Sequence, residues 1–226
     1  MKTTITIAGA LAALTMLPAT ALAAGQINFS VGDVTIKGSF PDRYCEPTGN
    51  NKAAADLLAK GDPENSTPVT LIRCDQQDQP DGMRYDYYLI KAPRMVYPPM
   101  TRAEFLAMMA KELALPTYQT GSASKASLDD ASGHLTDTFG TKVDLSGEIK
   151  PRGTDDVCMY LGGEMNVSSA VASYPIAVGG CGTIVGGKIL FVYSYDDPAK
   201  ANGVATQLRR ARAMADKLKA ADDRAN

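Results

Sequence analysis

The chain has 226 residues, 45% of them hydrophobic, with 23 basic and 25 acidic side chains and a net charge of −2. That is enough chain to bury a proper core, and it is too close to neutral for nucleic acid or an anionic membrane to be an expected partner. Trp is absent and Phe is scarce, with five Phe against ten Tyr, so aliphatic residues and Tyr have to fill the interior.

The first segment reads as an export signal. Met1-Lys2 sets a positive charge before an apolar stretch from Ile5 to Leu17, Pro18 breaks that stretch, and Ala21-Leu22-Ala23 follows as a small-x-small site. This is the layout of a secretory signal peptide cleaved after Ala23. An uncleaved anchor would need roughly 20 strongly apolar residues, more than this stretch supplies. No cysteine follows the site, which argues against lipid attachment there. The expected organisation is a signal peptide at 1–23 and a single α+β domain at 24–226. That domain would be periplasmic or extracellular after Sec-type export, with no membrane insertion once the signal is removed.

Residues 27–40 carry Ile27, Phe29, Val31, Val34, Ile36 and Phe40, strand material interrupted by Gly32-Asp33. Asn50 or Asn51 caps an expected short helix that runs through Leu57-Leu58 to Gly61. Asp62 to Ser66 reads as a loop and Val69 to Arg73 as a strand entering Cys74. Gln79-Pro80-Asp81-Gly82 has type I turn residues, and Arg84 to Lys91 follows as the next strand, completing an antiparallel hairpin. Thr101-Arg102-Ala103-Glu104 is a capping box. It opens a helix whose Phe105, Met109 and Leu113 share one face, with Leu106 and Met108 beside them, and which stops before Pro116. Both methionines are read as gap-filling core. Residues 117–156 show little pattern until Val143, Leu145 and Ile149 alternate as in a strand.

Gly186-Gly187 lies between two apolar runs and has the composition of a two-residue primed hairpin turn. In that register Ile184 faces Ile189, Gly182 faces Phe191 and Gly180 faces Tyr193, so aromatic rings lie over bare backbone. The second strand is apolar on both faces, which places it inside a covered sheet. Asp197-Pro198 opens a final helix, with Ala201, Val204, Leu208, Ala211, Ala215 and Leu218 as its apolar stripe. Arg209, Arg210, Arg212, Lys217 and Lys219 lie off the stripe. They read as a solvated face, with an acidic-partner docking patch as the sharper alternative.

Cys45, Cys74, Cys158 and Cys181 form an even set in an exported chain, which favours two disulfides. Pairing of sequence neighbours, Cys45 with Cys74 and Cys158 with Cys181, is expected. None sits at Cys-x-x-Cys spacing and the lone histidine is remote in sequence, so neither a metal nor a cofactor is expected. His134 is the weak catalytic candidate, as a base drawing on a Ser or Asp from elsewhere; the bland alternative is an exposed loop residue. No Gly-x-Ser-x-Gly elbow accompanies it. The acid pairs Asp129-Asp130, Asp155-Asp156 and Asp196-Asp197 match no calcium loop. Tyr85, Tyr87 and Tyr88 with Arg84 and Lys91 could stack a sugar or base, but they read better as strand residues.

The apolar strand Ile189 to Tyr195 followed by a helix, together with Phe40-Pro41-x-x-Tyr44-Cys45 upstream, resembles small exported bacterial proteins of uncharacterised function. At fold level it is similar to the Mog1/PsbP-like α/β/α sandwich, which implies an antiparallel sheet covered by helices and carries over no functional residue. The fold expected is α+β: an antiparallel sheet of about five to seven strands covered by helices, with a long C-terminal helix. The function expected is non-enzymatic binding of an unknown envelope protein or small ligand. The alternatives are a periplasmic hydrolase using His134 and a secreted inhibitor or effector that presents the Asp75 to Asp81 loop.

Overall fold

The structure, a computed structural model, describes residues 25–80, 82–200 and 203–222; the signal-peptide reading of 1–23 lies outside them. Seven strands form one antiparallel sheet in the order β3-β4-β5-β9-β8-β7-β6. They are β3 (Tyr44–Cys45), β4 (Asn65–Arg73), β5 (Tyr87–Pro93), β6 (Val143–Thr154), β7 (Met159–Ser169), β8 (Ser173–Val185) and β9 (Lys188–Asp196). A second, three-stranded sheet joins β1 (Gln26–Val31), β2 (Val34–Ser39) and the short β10 (Lys219–Ala220). The helices are α1 (Gly49–Lys60), α2 (Arg102–Leu113), α3 (Pro116–Gln119), α4 (Ser122–Phe139) and α5 (Gly203–Ala215). This is the antiparallel, helix-covered α+β architecture that the sequence implies. Among the described residues no helix is long and apolar enough to cross a membrane.

The large sheet has two buried faces because β8 and β9 are apolar on both sides. Leu71, Ile90, Leu190 and Val192 pack on one face with Ala211 and Met214 of α5, Leu218, and Ile27 and Ile36 of the small sheet. On the other face Ile72, Leu89, Val178 and Tyr195 meet Leu58 of α1, while Phe105, Leu106 and Leu113 of α2 pack against Met159, Ile184 and Ile189. The β8–β9 hairpin has the expected register, with Ile184 opposite Ile189, Gly182 opposite Phe191 and Gly180 opposite Tyr193. Gly186 and Gly187 take φ of 56° and 74°, the left-handed values that a primed turn needs. Two disulfides, Cys45–Cys74 and Cys158–Cys181, span Cα–Cα distances of 5.2 and 5.1 Å. Cys158 and Cys181 are buried in the core beneath α5, whereas Cys74 is exposed.

Several local expectations are corrected. The N-cap of α1 is Thr48, not Asn50 or Asn51. Asn51 lies inside the helix, 2% exposed, and its Nδ2 donates to the carbonyls of Gln76, Gln77 and Gln79 at 3.1, 2.7 and 3.3 Å. It therefore fastens the loop after Cys74 instead of capping. β4 begins at Asn65, earlier than the loop reading allows. β5 begins at Tyr87 because Asp86 sits at φ 60°, outside any strand conformation. Met108 is 45% exposed and not core. The region 117–156 contains the 18-residue helix α4, which hydrophobic periodicity misses because its buried residues are only Leu128 and Leu135.

The C-terminal helix is shorter than the stripe suggests. Asp197 does not cap it; its Oδ1 accepts from the Ala199 amide in a preceding turn, at 2.9 Å. Ala201 of the stripe lies outside the described residues. After Ala215 the chain turns and Lys219–Ala220 pairs with Lys37 and Ile36, so strand pairing with β2 replaces the last helical turn. Leu218 still reaches the core, at 4% exposure.

Candidate functional site

The structure places His134 on an exposed face of α4, not on a loop. Among the described residues no side-chain hydrogen bond joins it to a Ser, Asp or Glu, so the set that a hydrolase needs is not assembled around it. Nor does any group of three or more His, Cys, Asp or Glu there converge as metal ligands.

Of the cations expected on a solvated face, Arg209, Lys217 and Lys219 are exposed, whereas Arg210 and Arg212 are not. Arg210 turns inward, with its side chain 18% exposed, and reaches across the ends of three strands. Its Nη2 donates to Asp86 Oδ1 at 2.7 Å and to Tyr44 Oη at 2.6 Å, and its Nε donates to Tyr88 Oη at 3.1 Å. Asp196 Oδ2 lies 3.4 Å from Nη1, and the guanidinium stacks 4.7 Å from the Tyr88 ring centroid. The Tyr44 hydroxyl also donates to Asp86. Arg73 and Lys200 complete the charge balance on Asp86 and Asp196, at 3.8 and 2.6 Å. Burial pushes the Tyr44 phenol well above its ordinary range; Arg210 opposes that shift and Asp86 adds to it. For Arg210 burial works against the charge, but Tyr88, Tyr44 and Asp86 outweigh it and keep the group protonated. The Arg210 guanidinium bonds to both tyrosine hydroxyls and to one oxygen of each carboxylate, so the cluster acts as a clamp binding α5 to β3, β5 and β9.

Arg212 is likewise committed, to Asp155 at 2.9 Å and Asp156 at 3.3 Å. Asp155 accepts in addition from the amides of Val157 and Cys158 and from the Tyr160 hydroxyl, at 2.8, 2.7 and 2.6 Å. Burial alone would raise its pKa, but these donors and Arg212 outweigh it and hold the carboxyl well below its usual range. The acid pairs at 155–156 and 196–197 thus anchor loops. Tyr87 and Tyr88 are core residues on opposite faces of β5. Arg84 stacks on the Tyr85 and Tyr174 rings, at 5.0 and 4.8 Å from their centroids. The Asp75 loop is tied down by Arg73 and Asn51.

Among the described residues a groove of about 770 Å³ opens where three elements meet. Pro99, Met100 and the α2 N-terminus form one wall, the Gly186-Gly187 turn the second, and Ala215, Asp216, Leu218 and Lys219 the third. The Thr101–Glu104 capping box holds the first wall: Thr101 Oγ1 accepts from the Glu104 amide at 3.2 Å, and Glu104 Oε2 accepts from the Thr101 amide at 2.7 Å. Arg102 ties that wall to the second by donating from Nη2 to the Ile184 carbonyl at 3.1 Å. The chain leading to the groove, Met95-Val96-Tyr97, is 69%, 92% and 44% exposed. Sequence reasoning passed over these three residues. The signal that could have found them is an apolar run abutting Pro98-Pro99, immediately before the capping box, with no periodicity to put it in the core.

No family model matches the chain, and no curated protein matches it. Among solved structures the chain is similar to the solution structure of cyanobacterial PsbP from Synechocystis sp. PCC 6803. Identity is 10% and the TM-score 0.40, over 92% of this chain and 98% of that one.

Proposed function

We propose that this protein is exported, acts as a single domain over residues 24–226, and binds a polypeptide partner of the cell envelope at the groove beside Met95-Val96-Tyr97. The observation that carries the reading is that run of three exposed apolar side chains. Single surface hydrophobics are ordinary, whereas three in succession just ahead of the groove wall at Pro99 offer the apolar anchors of an interaction surface. The groove is open and lined by both polar and apolar groups, which suits a chain segment better than an enclosed small molecule. The two disulfides are in keeping with an oxidising compartment.

The test is affinity capture from an envelope extract with oxidised wild-type protein and a Met95→Ser/Val96→Asp variant as baits. A partner held by the wild type at moderate salt and lost by an equally stable variant supports the reading. Equal capture by both baits would remove the site, and no capture by either would put a small ligand in place of the polypeptide.

A further inference from the structure

The strand β6 is the last in the large sheet, and helix α4 lies along its outer side. Its inner side pairs with β7 in unbroken register from Val143 to Pro151. On the outer side every second backbone amide points away from β7, and these amides meet hydroxyls instead of a strand. The amide of Val143 donates to Thr136 Oγ1 at 3.0 Å, that of Leu145 to Ser132 Oγ at 2.8 Å, and that of Ile149 to Ser124 Oγ at 2.8 Å. The match follows from geometry. Four helical residues rise about 6 Å and two strand residues about 6.6 Å. A helix antiparallel to the strand can therefore offer every fourth side chain to every second amide. The unused step pairs Leu128 with Gly147, and no side-chain acceptor meets the Gly147 amide among the described residues. This ladder explains why a serine-rich segment with Gly133 inside it is helical at all.

The attachment is light. Only Leu128 and Leu135 of α4 are buried, and the helix is bracketed by Gly121 and Gly140 at φ of 79° and 66°. A segment with few buried apolar contacts and side-chain bonds in place of a backbone ladder opens at low free energy. The edge beneath it is a strand-pairing template.

We propose that α4 is a removable cover and that the β6 edge it protects is a docking surface for a second copy of this chain. The strand is self-complementary about Gly147. An antiparallel β6–β6 pair centred there sets Leu145 opposite Ile149, so the hydrogen-bonded positions are those whose amides already face outward. Asp144 then falls opposite Lys150 at both ends and Ser146 opposite Glu148, so opposite charges meet twice and like charges never do. Pro151, which has no amide to give, falls opposite Val143 at the margin of the pair. The surface is separate from the groove, and its test is independent of the groove reading.

The experiment combines hydrogen exchange with sedimentation on the mature, oxidised protein. In the wild type, the α4 amides and those of Val143, Leu145 and Ile149 exchange together, at least tenfold faster than the amides of β8. The Ser124→Ala/Ser132→Ala/Thr136→Val variant, which keeps both leucines, forms a concentration-dependent dimer. Adding Asp144→Lys weakens that dimer at least tenfold, and adding Lys150→Asp as well restores it. If the triple variant fails to fold, Ser132→Ala alone takes its place, with faster exchange at Leu145 and the same charge reversal as readouts. Exchange of α4 as slow as that of β8 overturns the proposal. So does a monomer at every concentration, or a dimer indifferent to the charge swap.

Discussion

Replacing Arg210 by Met should cost this protein about 2–4 kcal/mol. Met keeps much of the aliphatic stem and removes only the guanidinium. Asp86 and Asp196, with side chains 12% and 9% exposed, are then left without their common partner, and the Tyr44 and Tyr88 hydroxyls each lose a donor. Breaking a buried pair from one side costs about 3–5 kcal/mol, because the other charge stays desolvated. The figure here is lower since Arg73 and Lys200 still lie 3.8 and 2.6 Å from the two carboxylates. Urea unfolding with both disulfides intact measures the change as a shift in midpoint at constant slope. Asp86→Asn and the double variant close the cycle, and a coupling above about 1 kcal/mol is expected for groups in one hydrogen-bonded network. An Arg210→Met protein within about 0.5 kcal/mol of wild type, or an additive cycle, would show that the clamp does not fasten α5 to the sheet.

Three further outcomes follow from the same structure. Gly179 has α5 directly above it, where an added Cβ would lie 2.3 Å from the Leu208 amide nitrogen, so Gly179→Ala should lift the helix and cost about 2–3 kcal/mol; a variant with unchanged thermal unfolding would contradict that close contact. Each disulfide closes a loop worth about 3.5 kcal/mol, and because Cys74 is exposed while Cys158 and Cys181 are buried, mild dithiothreitol followed by alkylation mapping should label Cys45 and Cys74 first; simultaneous labelling of all four would refute this. For Asp62, burial alone would raise the pKa, but Lys91 and Asn65 outweigh it and hold the carboxyl below its ordinary value. Its folded pKa is therefore depressed, so its contribution is present above about pH 4 and is lost as pH falls through the folded pKa. The gap in urea midpoint between wild type and Asp62→Asn should close below about pH 4, and a gap constant from pH 7 to pH 2 would count against it.

The parts of this protein legible in its sequence are those settled by near neighbours in the chain. The Gly186-Gly187 turn needs positive φ at both residues, and with that requirement met the alternation of Ile189 to Tyr195 sets register and burial without further information. The Thr101–Glu104 box closes within four residues, and it is present as read. Neighbour pairing of the cysteines likewise spans short loops, with separations of 29 and 23 residues. Other features were settled only by groups far apart in sequence. Arg210 reads as one more cation on a polar helix face until the fold brings Tyr44 and Asp86 to it from 166 and 124 residues away. Helix α4 offers the core only Leu128 and Leu135, because its stripe of Ser124, Ser132 and Thr136 is matched to the amides of an edge strand. The groove brings the capping box, the Gly186-Gly187 turn and the segment after α5 together, and no local signal sets their meeting. Local sequence determined the hairpin, the capping box and the apolar strands, because torsional preference and alternation act over a few residues. Tertiary structure alone decided which polar side chains are bonded and which apolar ones stay exposed, because a hydrogen bond or a contact depends on what the rest of the chain brings opposite.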